Sequence, residues 1–270
     1  MNDSNINQES EISSFYQHIR SYWEILSKSS KNEFTHMLNF GYWSDSASDL
    51  YQAQQNFIKE ISQTLPLKAG LSHGLEIGCG ICGISINLLK ENSNISMTAL
   101  DISQEQLSIG KNNAQLNAVE SQITFCHGDA MNLPFKSATF DFTACIESTF
   151  HYQDKPRFFA ENFRVLRPGG YAVVADITCE DISEIRYRHG NYFDSKQQYI
   201  DNALKAGFII QSIKDIGSDV FQPLHEYILK FNRQRRLPSG KYWSVVLNNY
   251  SKLSALKLMG YQIFLLKKPE

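Results

Sequence analysis

Apolar and polar positions alternate along this chain with two different periods, and each change of period marks an element. From Ile12 to Leu26 the apolar residues Ile12, Phe15, Ile19, Tyr22, Trp23 and Leu26 fall at helical spacing. A second apolar group, Phe34, Met37, Leu38 and Phe40, runs into Gly41-Tyr42-Trp43, and a further helix is predicted over about Leu50–Leu65, stopped by Pro66. The pattern then changes to short apolar runs alternating with helical ones. Runs at 71–77, 95–100, 123–126, 139–146, 171–176 and 208–213 read as strands, and the fourth is apolar enough for a parallel sheet covered on both faces. Helices are predicted between them: one entered at Ser103 and reaching about Asn117, one opened by Asp154 and Pro156, and one capped by Ser195 and Gln198 that ends at Gly207. Two more helical patterns occupy 218–256, and 260–266 reads as a last strand. Regular alternation of this kind predicts an α/β fold with a doubly wound, mostly parallel sheet.

The first strand leads into Gly78-Cys79-Gly80-Ile81-Cys82-Gly83, a GxGxxG turn at the entry to a helix. Such a turn brings backbone N–H groups and a helix N-terminus to a polar ligand, but alone it is also compatible with an ordinary tight turn. The second strand ends on Asp101, about 20 residues further on, where an acidic side chain is placed to bind ribose hydroxyls. Ser103 supplies the cap of the following helix, so the reading leaves Asp101 open to a ligand. In an open α/β sheet, ligands bind outside the C-terminal strand ends. Asp101, Asp129, Glu147, His151 and Asp176 are therefore expected on one rim.

The motifs Glu76-Ile77-Gly78-Cys79-Gly80, Asp101, Gly128-Asp129-Ala130 and Leu166-Arg167-Pro168-Gly169-Gly170 occur in an order that resembles class I S-adenosylmethionine (SAM)-dependent methyltransferases. The likeness covers most of 35–215 and looks closest to the small-molecule branch with tocopherol, ubiquinone-pathway and antibiotic sugar O-methyltransferases. It implies a seven-stranded Rossmann-like sheet with the last strand antiparallel, within one methyltransferase domain. Residues 1–10 form a polar, disordered tail, 11–66 an N-terminal helical cap, 71–217 the core, 218–256 a helical lid, and 257–270 the final strand. The resemblance further implies SAM as cofactor, S-adenosylhomocysteine as product, and a cofactor site made by Tyr42, Trp43, Glu76, Gly78, Cys79, Gly80, Asp101, Ile102, Gln106, Asp129, Ala130, Met131, Ile146 and Glu147. Asp129 would meet the adenine amino group, with Ile102 and Met131 on the ring faces. Tyr42 and Trp43 read equally well as aromatic core. The branch usually has Gly where this chain has Cys82, so the fit around the methionine end is expected to be tighter or shifted.

For a hydroxyl acceptor a base is needed, and His151 is the leading residue, with Asp176 to orient it, as the resemblance to the sugar enzymes implies. A helix-entry role is the alternative for His151. His18, His36, His73, His127, His189 and His225 read as structural or surface residues, with His189 best placed among them to touch substrate. The acceptor is expected to be a partly apolar small molecule, a secondary metabolite, and O-, N- and C-methylation all remain open. A nicotinamide-dependent oxidoreductase and a SAM-binding relative without turnover are the competing readings.

Composition narrows the field. A formal net charge of −2 over 270 residues gives no electrostatic case for nucleic acid or a membrane surface. Five cysteines, mostly in predicted strands or the glycine turn, read as reduced thiols of a cytoplasmic protein. Cys79-x-x-Cys82 without a second pair gives little support for a metal centre. No membrane span is expected, and a homodimer is compatible with the sequence.

Overall fold

A computed structural model of the protein describes residues 20–28, 34–44, 46–67, 72–185, 191–235 and 238–270. The predicted tail, the first turns of the N-terminal helix with His18, and Arg186, Arg188, His189 and Arg236 lie outside them. Seven strands form one sheet: β1 His73–Ile77, β2 Ser96–Asp101, β3 Ile123–His127, β4 Phe140–Ile146, β5 Leu166–Cys179, β6 Ile209–Asp215 and β7 Met259–Lys267. Their order across the sheet is β3-β2-β1-β4-β5-β7-β6. The first five run parallel, and β7 lies antiparallel between β5 and β6. This is the Rossmann-like arrangement the sequence implies. The order reverses between β1 and β4, so the C-terminal ends of these strands open the crevice where ligands bind in such sheets.

The helices are α1 Leu50–Thr64, α2 Gly83–Glu91, α3 Gln104–Leu116, α4 Lys155–Val165, α5 Lys196–Ala206, α6 Phe221–Arg235 and α7 Pro238–Ala255. Their ends follow local chemistry. Asp49, Ser103, Asp154 and Ser195 accept from the first backbone N–H groups of α1, α3, α4 and α5, and Gly207 closes α5 in the left-handed region. Pro168-Gly169-Gly170 does not end a separate loop before β5 but lies within it. Leu166 pairs with Phe140 and Tyr171 with Phe142, so the intervening residues loop out of register. Gly169, at φ +76°, makes that excursion possible.

The 20–26 segment is helical, whereas 34–40 is not. Tyr22, Trp23, Leu26, Phe40, Phe221, Trp243, Tyr250 and Tyr261 are all buried in one cluster. Trp23 meets Trp243 edge-on at 4.9 Å between ring centres and Phe40 at 5.7 Å. The N-terminal segment and the α6–α7 pair are thus packed into a shared aromatic core beside the β4–β5 end of the rim. Among the described residues no helix is long and apolar enough to cross a membrane.

Candidate active site

A chamber opens at the C-terminal ends of β1, β2, β3 and β4. Its floor is the turn after β1. Gly78 takes φ +71°, and a Cβ there would lie 1.9 Å from Ser148 Oγ, so only glycine fits. Gly80 N–H donates to Asp101 Oδ2 (2.8 Å), and Ser103 N–H donates to Asp101 Oδ1 (2.8 Å). Asp101 is therefore not the open carboxylate that the sequence suggests. It lines the chamber while tying the glycine turn to the start of α3, and burial pushes its carboxyl up from the usual range.

Glu76 accepts from Ser85 N–H (3.0 Å) and from the Ser85 hydroxyl, and burial raises its carboxyl to about 7. Glu147, at the tip of β4, takes φ +46°, an unusual conformation for a non-glycine residue. Its Oε1 accepts from Phe40 N–H and from Tyr261 OH, each at 2.8 Å, and burial raises it to about 8. Asp129 Oδ1 accepts from Met131 N–H (2.8 Å).

Glu76, Asp101, Asp129 and Glu147 all line the chamber, and no Lys or Arg is among its described lining residues. Four carboxylates without a cation suit a positively charged ligand and oppose a pyrophosphate. Two buried polar atoms of the lining, Gln106 Oε1 and His36 Nδ1, have no hydrogen-bond partner. A ligand with hydroxyl and amino groups would satisfy them. The sulfonium, ammonium, ribose and adenine groups of SAM fit this donor and acceptor set, and those of NAD do not.

Of the residues expected around the cofactor, Glu76, Gly78, Cys79, Gly80, Asp101, Ile102, Gln106, Asp129, Ala130, Met131, Ile146 and Glu147 line the chamber. Tyr42 and Trp43 lie outside that lining. Lys214 Nζ sits 5.0 Å from the Tyr42 ring centre, and Trp43 packs on Tyr227 at 5.1 Å while its indole N–H donates to Phe40 O. The wall is built instead by the preceding residues, His36 to Asn39. His36, at φ +58°, turns the chain there. Its helical-looking spacing and lone imidazole hid this role. Gln54 holds the wall in place by donating to Met37 O and Asn39 O (3.1 and 3.0 Å).

Cys82 departs from the glycine pattern without narrowing the chamber. It adopts the left-handed conformation, φ +65°, at the N-cap of α2. Its thiol is fully buried, stands 3.5 Å from Cys79 Sγ, and occupies the space that Gly110 leaves on α3, where a Cβ would lie 2.5 Å from Cys82 Sγ. Among the described residues no group of three or more His, Cys, Asp or Glu could hold a metal ion.

His151 lines the same chamber from the turn after β4, and burial lowers its imidazole to about 3, helped by the nearby Lys155 ammonium. A side-chain hydrogen bond links it to Asn191. Asp176 does not take the orienting position expected of it. Its Oδ2 accepts from the Thr149 hydroxyl and from Phe150 N–H (3.2 Å), and its Oδ1 from Ile177 N–H (2.7 Å). It is fully buried outside the chamber lining and fastens the turn that carries His151.

Comparison with known proteins agrees with this geometry. The model of a methyltransferase domain family matches residues 75–174. The O-methyltransferase cnsE of Penicillium expansum is 30% identical over 198 residues, covering 68% of this chain and 69% of that protein. The chain belongs to the class I SAM-dependent methyltransferases. Erythromycin 3''-O-methyltransferase of Saccharopolyspora erythraea is 26% identical over 213 residues, or 72% of this methyltransferase and 68% of that one. The matches span from half to about two thirds of the length of the first curated relatives (50–68%). In fold, this methyltransferase is similar to the [4+2]-cyclase SpnF, with TM-score 0.78, 22% identity, and coverage of 97% of this chain and 96% of that one.

Proposed function

We propose that this methyltransferase transfers a methyl group to a hydroxyl of a small secondary metabolite in the cytoplasm, with His151 as general base. The observation that carries the reading is the buried imidazole of His151 in the lining of the chamber that also holds four carboxyl side chains. SAM supplies the activated methyl group when bound. Glu76, Asp101, Gln106 and Asp129 would hold its polar groups, and Glu147 would face its positive charge. Burial keeps His151 uncharged at neutral pH, so a ring nitrogen can take the hydroxyl proton. The charge it then gains replaces the sulfonium charge lost in the same step, so the chamber's net charge is unchanged.

Two further features support an acceptor site on this side. A second hollow of about 500 Å³ lies beyond His151, lined by Lys155, Asn191, Tyr192 and Phe193 among others. The aromatic cluster of 20–26, Phe40, α6 and α7 stands beside Glu147 and would form an apolar lid over the acceptor. Relatives named as O-methyltransferases, from Saccharopolyspora erythraea and Penicillium expansum, support oxygen, while a norajmaline N-methyltransferase of Rauvolfia serpentina, 34% identical over 109 residues, makes an amine the second acceptor to test. Five free thiols, four of them buried, support a reducing compartment.

Methyl transfer from labelled SAM over a panel of macrolide, polyketide and phenolic alcohols tests the proposal. His151→Ala is expected to lower kcat by about 10²–10⁴-fold with the Kd for SAM unchanged. Full activity in that variant would remove the base from the mechanism, and turnover of amines alone would remove the hydroxyl.

A further inference from the structure

Asp176 is committed to Thr149 and the backbone, so the group that orients His151 must be sought elsewhere. Residues 191–194 run directly past the ring. Tyr192 N–H donates to Phe150 O (2.6 Å), and Cys179 N–H donates to Asp194 O (2.9 Å). The buried Lys155 ammonium donates to Tyr152 O (3.2 Å) and to Tyr192 O. The Phe150 and Phe193 rings stack with centres 6.0 Å apart. The segment is thus fastened to the His151 turn through Tyr192 and Phe193 and to β5 through Asp194, and Asn191 enters it already bonded to the imidazole.

We infer that Asn191 is the positioning residue for His151, its side-chain amide fixing the ring's tautomer so that the nitrogen facing the chamber receives the acceptor's proton. Asn191 Oδ1 is buried without a partner, and an unsatisfied buried acceptor is unfavourable by about 1–3 kcal/mol. A half-turn of the amide exchanges its oxygen and nitrogen. That puts Oδ1 on the ring N–H and satisfies it. The opposite ring nitrogen then carries the lone pair that general-base catalysis uses. A neutral amide also suits this place better than a carboxylate, because it orients the ring without favouring the imidazolium before substrate arrives. The charged groups around the ring are Lys155 from α4, with Asp194 3.9 Å from its ammonium, Asp176 from β5, and Glu147 across the chamber.

The inference rests on His151 being the base, and two readouts separate the two claims. Nitrogen-15 NMR of labelled histidine reads the tautomer without any turnover. In the full chain His151 is expected to show a single neutral tautomer, and in Asn191→Ala a mixture of both. Kinetically, Asn191→Ala is expected to lower kcat about tenfold or more with the Kd for SAM within twofold. The nearly isosteric Asn191→Asp is expected to favour the imidazolium and move the acid limb of kcat/KM to higher pH. Identical ring-nitrogen shifts in Asn191→Ala and the parent, or coincident pH profiles for Asn191→Asp, would overturn the assignment. Full activity of His151→Ala beside a tautomer that depends on Asn191 would overturn the base alone.

Discussion

At the β1–β3 end of the rim, Asp101 and Asp129 are held by backbone N–H groups, most of them within two residues of the carboxylate in sequence. At the β4–β5 end, Glu147 is held by Phe40 and Tyr261, 107 and 114 residues away, and His151 by Asn191. The first half is a product of short motifs that fold into place by themselves. The second is assembled from four distant segments, so its shape depends on how the whole chain packs. The β1–β3 end therefore depends mostly on local geometry, whereas the β4–β5 end, where Glu147 and His151 stand, depends on tertiary geometry.

Perturbing each half should show this contrast. The largest effect after loss of the base is expected in the local half. Asp101→Ala removes two backbone hydrogen bonds to a buried carboxylate and a ligand contact, together about 2–4 kcal/mol. Calorimetry is expected to show SAM affinity reduced by about 30- to 1,000-fold, and an unchanged Kd would mean that the glycine turn holds its shape without Asp101.

In the assembled half the effect is smaller and depends on pH. The folded carboxyl of Glu147, at about 8, lies above its ordinary value of 4.5. The folded protein therefore binds a proton that the unfolded chain releases, and stability falls as pH rises from about 5 to about 8. Glu76, raised to about 7, adds to that slope, so thermal melts of the ligand-free protein should follow it and Glu147→Gln should reduce it, most clearly between about pH 7 and 8. Because a cationic ligand needs the carboxylate, SAM should bind more tightly as pH rises through about 8 in the parent and less so in Glu147→Gln. A slope between about pH 6.5 and 8 that is the same in the parent and in Glu147→Gln would show that Glu147 does not carry this proton.

The smallest effect is expected in the glycine turn itself, within the β1–β3 half. Cys82→Gly relieves a left-handed non-glycine residue, a gain of about 1 kcal/mol, and opens a gap beside Gly110, an opposing loss of about the same size. The net change in stability is expected within about 1 kcal/mol, with SAM affinity unchanged. A marked change in SAM affinity would show that the thiol shapes the cofactor pocket after all.

The same division explains what could be read before the fold was known. Strand and helix patterns and caps such as Ser195 lie inside windows short enough for periodicity and spacing to find them, and most of the chamber residues are those that the resemblance to the family implies. The resemblance implies Tyr42 and Trp43 at the cofactor, yet the left-handed turn at His36 brings residues 36–39 to the chamber, and Tyr42 and Trp43 lie outside its lining. Asp176 lies inside β5, which runs on to Cys179, and its oxygens go to Thr149, Phe150 and Ile177, a choice fixed by tertiary contacts. Nothing local to Asn191 signals that it meets His151, 40 positions earlier in the chain.

The placement of β7 has a consequence for how this protein is made. During synthesis β5 and β6 emerge with no bonding partner on their facing edges, and they wait while residues 216–258 are added. Open strand edges invite pairing between nascent chains. Only when β7 slides between them does Tyr261 reach Glu147, so sealing the sheet and finishing the β4–β5 end of the chamber are one late event. A ribosome that stalls before that point releases a chain with the glycine turn already formed but two sticky edges exposed, a form that chaperones and proteases would meet before any substrate does.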